Sequence, residues 1–233
     1  FAGDIRSVFW VAVIPAALAV ACIVLFVREP EATQPGARRR IPLAPSELAR
    51  MPARFWFVVT FASVLTLARF SEAFLVLRAQ DIGLALAWIP GVMVVMNVVY
   101  AATAIPAGQA ADRISRRALL LWGLGMLVAA ALVLAHASGA GEVLAGAALW
   151  GLHMGLTQGL LSAIVADTAP ADLRGTAFGV FNLATGVFLL LASTLAGLLW
   201  SAFGAQTTFL AGAVFTVLAA AGLVMGPQTR GGK

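Results

Sequence analysis

The sequence predicts an all-α integral membrane protein with seven transmembrane helices, and three observations lead to this prediction. Hydrophobic residues make up 61% of the 233 residues and charged residues only 11%, too few to cover the surface of a soluble domain of this size. The apolar residues form long blocks, each near the roughly 20 residues that a helix needs to cross a bilayer core. The basic residues lie mainly between these blocks, as the positive-inside rule requires of a membrane protein.

Each predicted helix corresponds to one apolar block of the sequence. The blocks cover approximately residues 8–27, 55–77, 86–108, 118–135, 143–166, 176–200 and 207–225. The only long polar stretch, rich in proline and arginine, lies between the first two blocks and predicts a linker with a short surface helix around Ser46–Met51. All later loops are short, so consecutive helices are expected to be antiparallel neighbours.

The distribution of arginine and lysine predicts the orientation in the membrane. With the linker in the cytoplasm and sides alternating at every helix, the outer segments carry only Arg6 and Arg78. The cytoplasmic segments carry twelve basic residues, namely Arg28, Arg38, Arg39, Arg40, Arg50, Arg54, Arg113, Arg116, Arg117, Arg174, Arg230 and Lys233. This bias predicts a multi-pass protein with its linker and carboxy terminus in the cytoplasm. It also explains the net charge of +5 without nucleic acid as a partner.

The loop after the third block carries the most specific motif. It contains glycine, aspartate and three arginines in a fixed order, at Gly108, Asp112, Arg113, Arg116 and Arg117. This order resembles the loop motif G-x-x-x-D-R-x-G-R-R of the major facilitator superfamily, with Ser115 where the family usually has glycine. A second segment, from Asp167 through Pro170 to Arg174 and Gly175, resembles another cytoplasmic turn of the same family.

The resemblance implies that the chain corresponds to helices six to twelve of a twelve-helix transporter. Residues 1–28 are then the closing helix of a missing amino-terminal half, and residues 29–54 are the cytoplasmic linker. Residues 55–227 form a six-helix half built as a 3+3 inverted repeat, and residues 228–233 form a cytoplasmic tail. The chain begins at Phe1 in a polar approach to the first helix, which we expect of a fragment.

The function implied by the resemblance is that of a permease. Such a protein is a secondary active transporter that moves a small organic solute across the bacterial inner membrane by alternating access, and proton-coupled efflux is one form of this transport. The expected partners are membrane lipid, the small-molecule substrate and the missing half of the polypeptide. No cofactor, metal site or catalytic residue is expected, since no phosphate-binding loop or metal-ligand motif occurs in the sequence.

The two motif loops predict a cytoplasmic gate. We expect Asp112, Arg113 and Arg116 to form a charge cluster with Asp167, near Arg174, because acids and arginines at neighbouring helix ends pair readily. Such a cluster would hold the cytoplasmic side closed and would break when it opens. The alternative is that these arginines only fix the topology.

Charged and polar residues inside the blocks are the candidates for substrate or coupling contacts. Arg69 and Glu72 lie three residues apart in the second block, so we expect them on one helical face, either as functional groups or as a structural ion pair. Asn97 in the third block and Asn182 in the sixth are candidates either for substrate contact or for hydrogen bonds between helices.

The fifth block combines small and polar residues. Its glycines at four-residue spacing, Gly151, Gly155 and Gly159, predict close contact with another helix. Gln158 lies beside this stripe, whereas His153 and Thr157 share the roughly opposite face. His153 is a candidate substrate or proton group, or alternatively a buried hydrogen-bonded histidine.

Two other functional classes remain open at this point. A membrane-embedded lipid-modifying enzyme would need acids or a catalytic histidine at one interface, where only Asp167 and Asp172 come close. A non-transporting membrane scaffold would use the same charges structurally.

Overall fold

The computed structural model describes residues 5–26 and 45–225, and it divides the chain into two units. The first unit contains helix α1 (Ile5–Phe26), which has Pro15 inside it and exposes its described apolar side chains. Most of the predicted linker and the whole predicted tail, residues 228–233, lie outside the described residues. Within the linker, α2 (Pro45–Leu48) is shorter than the predicted surface helix.

The second unit is built from helices in its described part. These are α2, α3 (Ala53–Ala68), α4 (Ala73–Asp81), α5 (Ile89–Ala110), α6 (Arg116–His136), α7 (Ala140–Thr168), a 3₁₀ turn (Ala171–Leu173) and α8 (Arg174–Met225). In this described part, five helical segments are long and apolar enough to span a bilayer when α3 and α4 are counted together and α8 is counted once. Large apolar side chains are exposed on several of them, for example Ile105 at 71% and Leu190 at 69%, as expected of surfaces that face lipid.

The prediction of one continuous helix over residues 55–77 is wrong, because the helix is interrupted at residues 69–72. Arg69 leaves the helical conformation at φ −109° and ψ 68°, and α4 begins only at Ala73. The interruption is stabilised from outside the segment, since the Ser71 amide donates to the Ser193 hydroxyl of α8 at 3.2 Å. The Phe70 ring packs against the rings of Phe74, Trp150 and Phe209, with centroids 5.0–5.7 Å apart.

Helix α8 folds back on itself at Gly204. This residue has φ 84° and ψ 178°, a conformation that is open essentially only to glycine. The two arms pack together, because the Thr208 hydroxyl lies 3.5 Å from the Ala196 carbonyl oxygen and the Trp200 and Phe209 rings lie 6.1 Å apart. In a straight helix, residues 196 and 208 would be about 18 Å apart. The predicted boundary between the sixth and seventh blocks therefore coincides with a turn.

Helix α7 lies between α5 and α6, and small residues of α7 permit its close contact with α5. A methyl group at Gly151 would lie 2.2 Å from the Met96 carbonyl oxygen of α5, and one at Gly155 would lie 2.7 Å from Cβ of Thr103. The predicted close contact is thus confirmed for these two glycines. It is not found at Gly159, where a methyl group would meet no atom within 4 Å.

Candidate functional site

A cavity of about 330 Å³ lies among α3, α7 and α8. Its walls combine polar and apolar side chains, namely Ala62, Leu65, Thr66, Arg69, Gln158, Leu161, Ser162, Phe181, Asn182, Thr185, Gly186 and Leu189. We refer to it as the Arg69 cavity. Arg69 lies about 24 Å from Ala53 along the interrupted α3–α4 segment, which continues to Asp81, and Gln158 lies about 15 Å from the end of α7, so the cavity is at mid-depth of these two segments.

The interruption of the α3–α4 segment places Arg69 in the wall of this cavity. Arg69 is the C-cap residue of α3, and its backbone amide donates to the carbonyls of Leu65 and Thr66. Its Nη1 atom is buried and has no hydrogen-bond partner. Arg69 and Glu72 form no direct ion pair, because the interruption removes the helical geometry that would bring them onto one face, but the Glu72 carboxylate still acts on the guanidinium from a greater distance.

Of the candidates predicted inside the blocks, the structure brings together Arg69, Gln158 and Asn182. Gln158 is also in contact with α5, since its Oε1 accepts a hydrogen bond of 3.3 Å from the Tyr100 hydroxyl. Asn182 is exposed in the cavity wall. Glu72 is at the start of α4 and does not line the cavity.

Two polar residues of α7 do not line the cavity, although one of them, His153, is close enough to Arg69 for an electrostatic interaction. His153 is fully buried against α6, with its Nδ1 atom 2.8 Å from the Gly123 carbonyl oxygen. The Thr157 hydroxyl donates to the His153 carbonyl at 2.8 Å. This geometry matches the alternative of a buried hydrogen-bonded histidine and differs from that of a solute contact.

Asn97 is also separate from the Arg69 cavity. Its side-chain amide donates to the carbonyl of Met93, one turn earlier in α5, at 2.8 Å. Its side chain is exposed on α5, a helix that is largely exposed in the described unit.

Sequence reasoning missed two polar residues of the cavity wall. Thr66 precedes Arg69 by three residues, and Ser162 follows Gln158 by four. Residues at these spacings share a helical face, so the signal was present in the sequence.

The predicted cytoplasmic cluster contains one ion pair rather than a four-residue network. Arg116 Nη1 lies 2.5 Å from Asp167 Oδ2, joining the first turn of α6 to the last turn of α7. Asp112 and Arg113 are exposed on the turn that ends α5, where they line a separate surface groove. They form no ion pair within the described residues.

The remaining motif residues have different surroundings. Arg117 donates from Nη2 to the carbonyl of Val224, near the end of α8. Gly108 and Arg174 are exposed. Ser115 has φ −59° and caps α6, its hydroxyl accepting from the Ala118 amide at 3.2 Å, so this turn does not require the glycine of the family motif.

A second contact on the same side joins α2 to the 3₁₀ turn. Arg50 donates from Nη2 to Oδ2 of Asp172 at 2.8 Å and from Nη1 to Oε2 of Glu47 at 3.2 Å. The hydrogen bond to the Asp172 carboxylate, together with its negative charge, raises the pKa of the Arg50 guanidinium.

Comparison with known proteins gives matches along most of the chain. The sequence profile of the Major Facilitator Superfamily matches residues 1–186 and, in a second alignment, residues 73–232. An uncharacterized MFS-type transporter from Methanocaldococcus jannaschii is 29% identical over 177 residues, which are 73% of this chain and 44% of that protein. An uncharacterized protein from Mycobacterium bovis is 29% identical over 146 residues, which are 62% of this chain and 35% of that protein, and one from Mycobacterium tuberculosis gives the same figures. The chain spans less than half the length of these relatives.

Proposed function

Because this chain belongs to the Major Facilitator Superfamily, we propose that it forms part of a secondary active transporter for a small organic solute. The observation that carries the proposal is the Arg69 cavity, which lies at mid-depth among helices whose outer surfaces are apolar. Polar groups at that depth are costly in a bilayer, and they characteristically line solute or ion pathways. The interrupted α3–α4 segment beside the cavity supports the same proposal, because broken helices form the binding sites of many transporters.

The proposed architecture has seven transmembrane helices. If α3 and α4 form one interrupted span and the two arms of α8 form two, the described unit contains six spans, and α1 is the seventh. These six spans would form one half, a 3+3 inverted repeat, of a twelve-helix protein. The solute would bind between this half and an amino-terminal half of the same polypeptide.

The proposed orientation in a bacterial inner membrane has the linker and carboxy terminus in the cytoplasm, as the arginine bias supports. Single cysteines introduced by Arg113→Cys and Arg174→Cys, in a full-length protein with Cys22→Ser, test it. We expect an impermeant thiol reagent to label both positions from the cytoplasmic side only. Labelling of the two positions from opposite sides would refute the proposed topology.

Alternating access is supported by the pair between Arg116 and Asp167. Both side chains are partly or fully exposed, so their attraction is weak enough to break and re-form during a transport cycle. We propose that this pair is formed while the cytoplasmic side is closed. The side-chain amide of Gln158 neither gains nor loses a proton near neutral pH, so proton coupling would require a different group.

The test of the function is uptake into proteoliposomes that contain the full-length protein. The panel consists of labelled carboxylates, sugars, amines and a lipophilic dye, each with and without a proton gradient. We expect saturable movement of at least one solute class that Asn182→Ala reduces and Asn97→Ala leaves unchanged, because only Asn182 lines the Arg69 cavity. Equal uptake by both variants would place the solute path elsewhere, and no uptake of any solute would refute the proposal.

A further inference from the structure

The Arg69 guanidinium forms no direct ion pair in the described part of the protein, although the Glu72 carboxylate acts on it electrostatically from a greater distance. No Asp or Glu of that part forms an ion pair with it, and its buried Nη1 atom makes no hydrogen bond. Leaving a buried charge unpaired is strongly unfavourable, and groups of this kind are normally paired or hydrogen-bonded. A negatively charged group bound at this point would supply the hydrogen-bond acceptor that Nη1 lacks.

The cavity wall around Arg69 offers further hydrogen-bond donors beside the guanidinium. Oε1 of Gln158 accepts a hydrogen bond from the Tyr100 hydroxyl, and Nε2 of Gln158 is available as a donor, since it forms no hydrogen bond among the described residues. The side-chain amide of Asn182, exposed in the same wall, supplies a further donor. The Thr185 hydroxyl already donates to the Phe181 carbonyl at 2.8 Å. No carboxylate lines the cavity within the described residues.

A planar guanidinium beside two amide donors is suited to an oxyanion. Arginine presents parallel N–H groups that match both oxygens of a carboxylate or two oxygens of a phosphate. The leucines of the wall, Leu65, Leu161 and Leu189, would contact the apolar part of the same molecule. The volume of about 330 Å³ is at the lower end of the range of small-molecule pockets, about 300–1,000 Å³.

We infer that the solute carries a carboxylate or phosphate group and that Arg69 binds this group, with Gln158 and Asn182 as additional donors. This inference rests on the proposed function and narrows it to organic anions. It also explains the interruption of the α3–α4 segment, which places the arginine in the cavity wall instead of pairing it with Glu72.

The test compares each anion with an uncharged molecule of similar shape. Full-length protein in a neutral detergent is heated with benzoate or benzamide, with phenyl phosphate or phenol, and with inorganic phosphate, at constant ionic strength. We expect benzoate, phenyl phosphate or both to raise the unfolding midpoint while their uncharged counterparts do not. Phosphatidylglycerol is added in a separate arm, because a lipid head group presents the same chemistry.

Three variants assign the effect to Arg69. We expect Arg69→Gln to weaken anion binding about 10- to 100-fold, as the loss of a charge-assisted hydrogen bond predicts. Arg69→Lys should bind with intermediate affinity, because it keeps the charge but loses the fork of two donors. Arg54→Gln, which removes a positive charge from an exposed position outside the cavity, is the matched control and should bind as the wild type does.

Several results would overturn the inference. The first is that each anion gives the same unfolding midpoint as its uncharged counterpart, both for benzoate against benzamide and for phenyl phosphate against phenol. The second is that only phosphatidylglycerol raises the midpoint. The third is that Arg69→Gln keeps the full preference for anions. If Arg69→Gln does not fold, the anion affinity of Arg69→Lys is compared with that of wild type. An unchanged affinity in Arg69→Lys would then overturn the inference. Uptake of neutral solutes without anion binding would overturn this inference but not the proposed transport function. Anion binding without uptake of any solute would overturn the proposed transport function but not the anion site.

Discussion

The contact between α5 and α7 at Gly151 gives the sharpest prediction for stability. In Gly151→Ala, the new methyl group would lie 2.2 Å from the Met96 carbonyl oxygen and 3.0 Å from its carbonyl carbon. Backbone atoms cannot rotate away as a flexible side chain can, so the two helices would have to separate by roughly 1 Å at this point. Overpacking of this kind typically costs about 1–3 kcal/mol.

Gly159→Ala is the matched control for this experiment. It lies two turns further along α7, and its new methyl group would meet no atom of another helix within 4 Å. The change removes a glycine from a helix interior, which by itself stabilises by up to about 1 kcal/mol. The two variants are therefore expected to shift stability in opposite directions.

The assay is thermal unfolding of the purified full-length protein in detergent, followed by tryptophan fluorescence. We expect the unfolding midpoint of Gly151→Ala to fall several degrees below that of wild type, and that of Gly159→Ala to equal or exceed it. If Gly151→Ala unfolds at the same temperature as Gly159→Ala, the close approach of α5 and α7 is not a property of the folded protein.

Three further predictions concern a turn, an ion pair and a helix cap. Gly204→Ala should destabilise by about 1–3 kcal/mol in the same unfolding assay, because φ is 84° there, whereas Gly197→Ala in regular helix should be neutral or better. Arg116→Asp and Asp167→Arg should each impair uptake in proteoliposomes, and the double variant should recover it; failure of recovery would exclude the pair as a gate. Ser115→Ala should lower the free energy of unfolding by about 1 kcal/mol and Ser115→Gly by only a few tenths, so equal effects would argue against the cap.

The positions of the helices follow from hydropathy because the bilayer imposes both their length and their apolar character. Helices α5, α6 and α7 begin and end within about three residues of the predicted blocks. The interruption at residues 69–72 escaped prediction because Arg69 and Glu72 were interpreted as functional groups inside one continuous helix. The interruption is stabilised by the hydroxyl of Ser193 and by the rings of Trp150 and Phe209 against Phe70, and these partners are distant in sequence.

The candidate site was predictable in composition but not in geometry. Arg69, Gln158 and Asn182 were selected as polar residues inside apolar blocks, and they line one cavity. Asn97 and His153 met the same criterion and lie elsewhere, one bonded to its own helix and the other to α6. In a helix that is apolar on every side, periodicity does not reveal which face meets which neighbour, so the rotation of α5 and α7 had to come from the structure.

The hairpin formed by α8 has a consequence for how the protein enters the membrane during synthesis. Between Arg174 and Arg230 the sequence contains no Asp, Glu, Lys or Arg, and the reversal at Gly204 needs no polar loop. Both arms can therefore partition into lipid as a single unit without carrying a charged side chain across the hydrocarbon. No charge inside this hairpin fixes its direction, so its orientation is set by the basic residues on either side of it, Arg174 before it and Arg230 and Lys233 after it, and by the arginines of earlier loops.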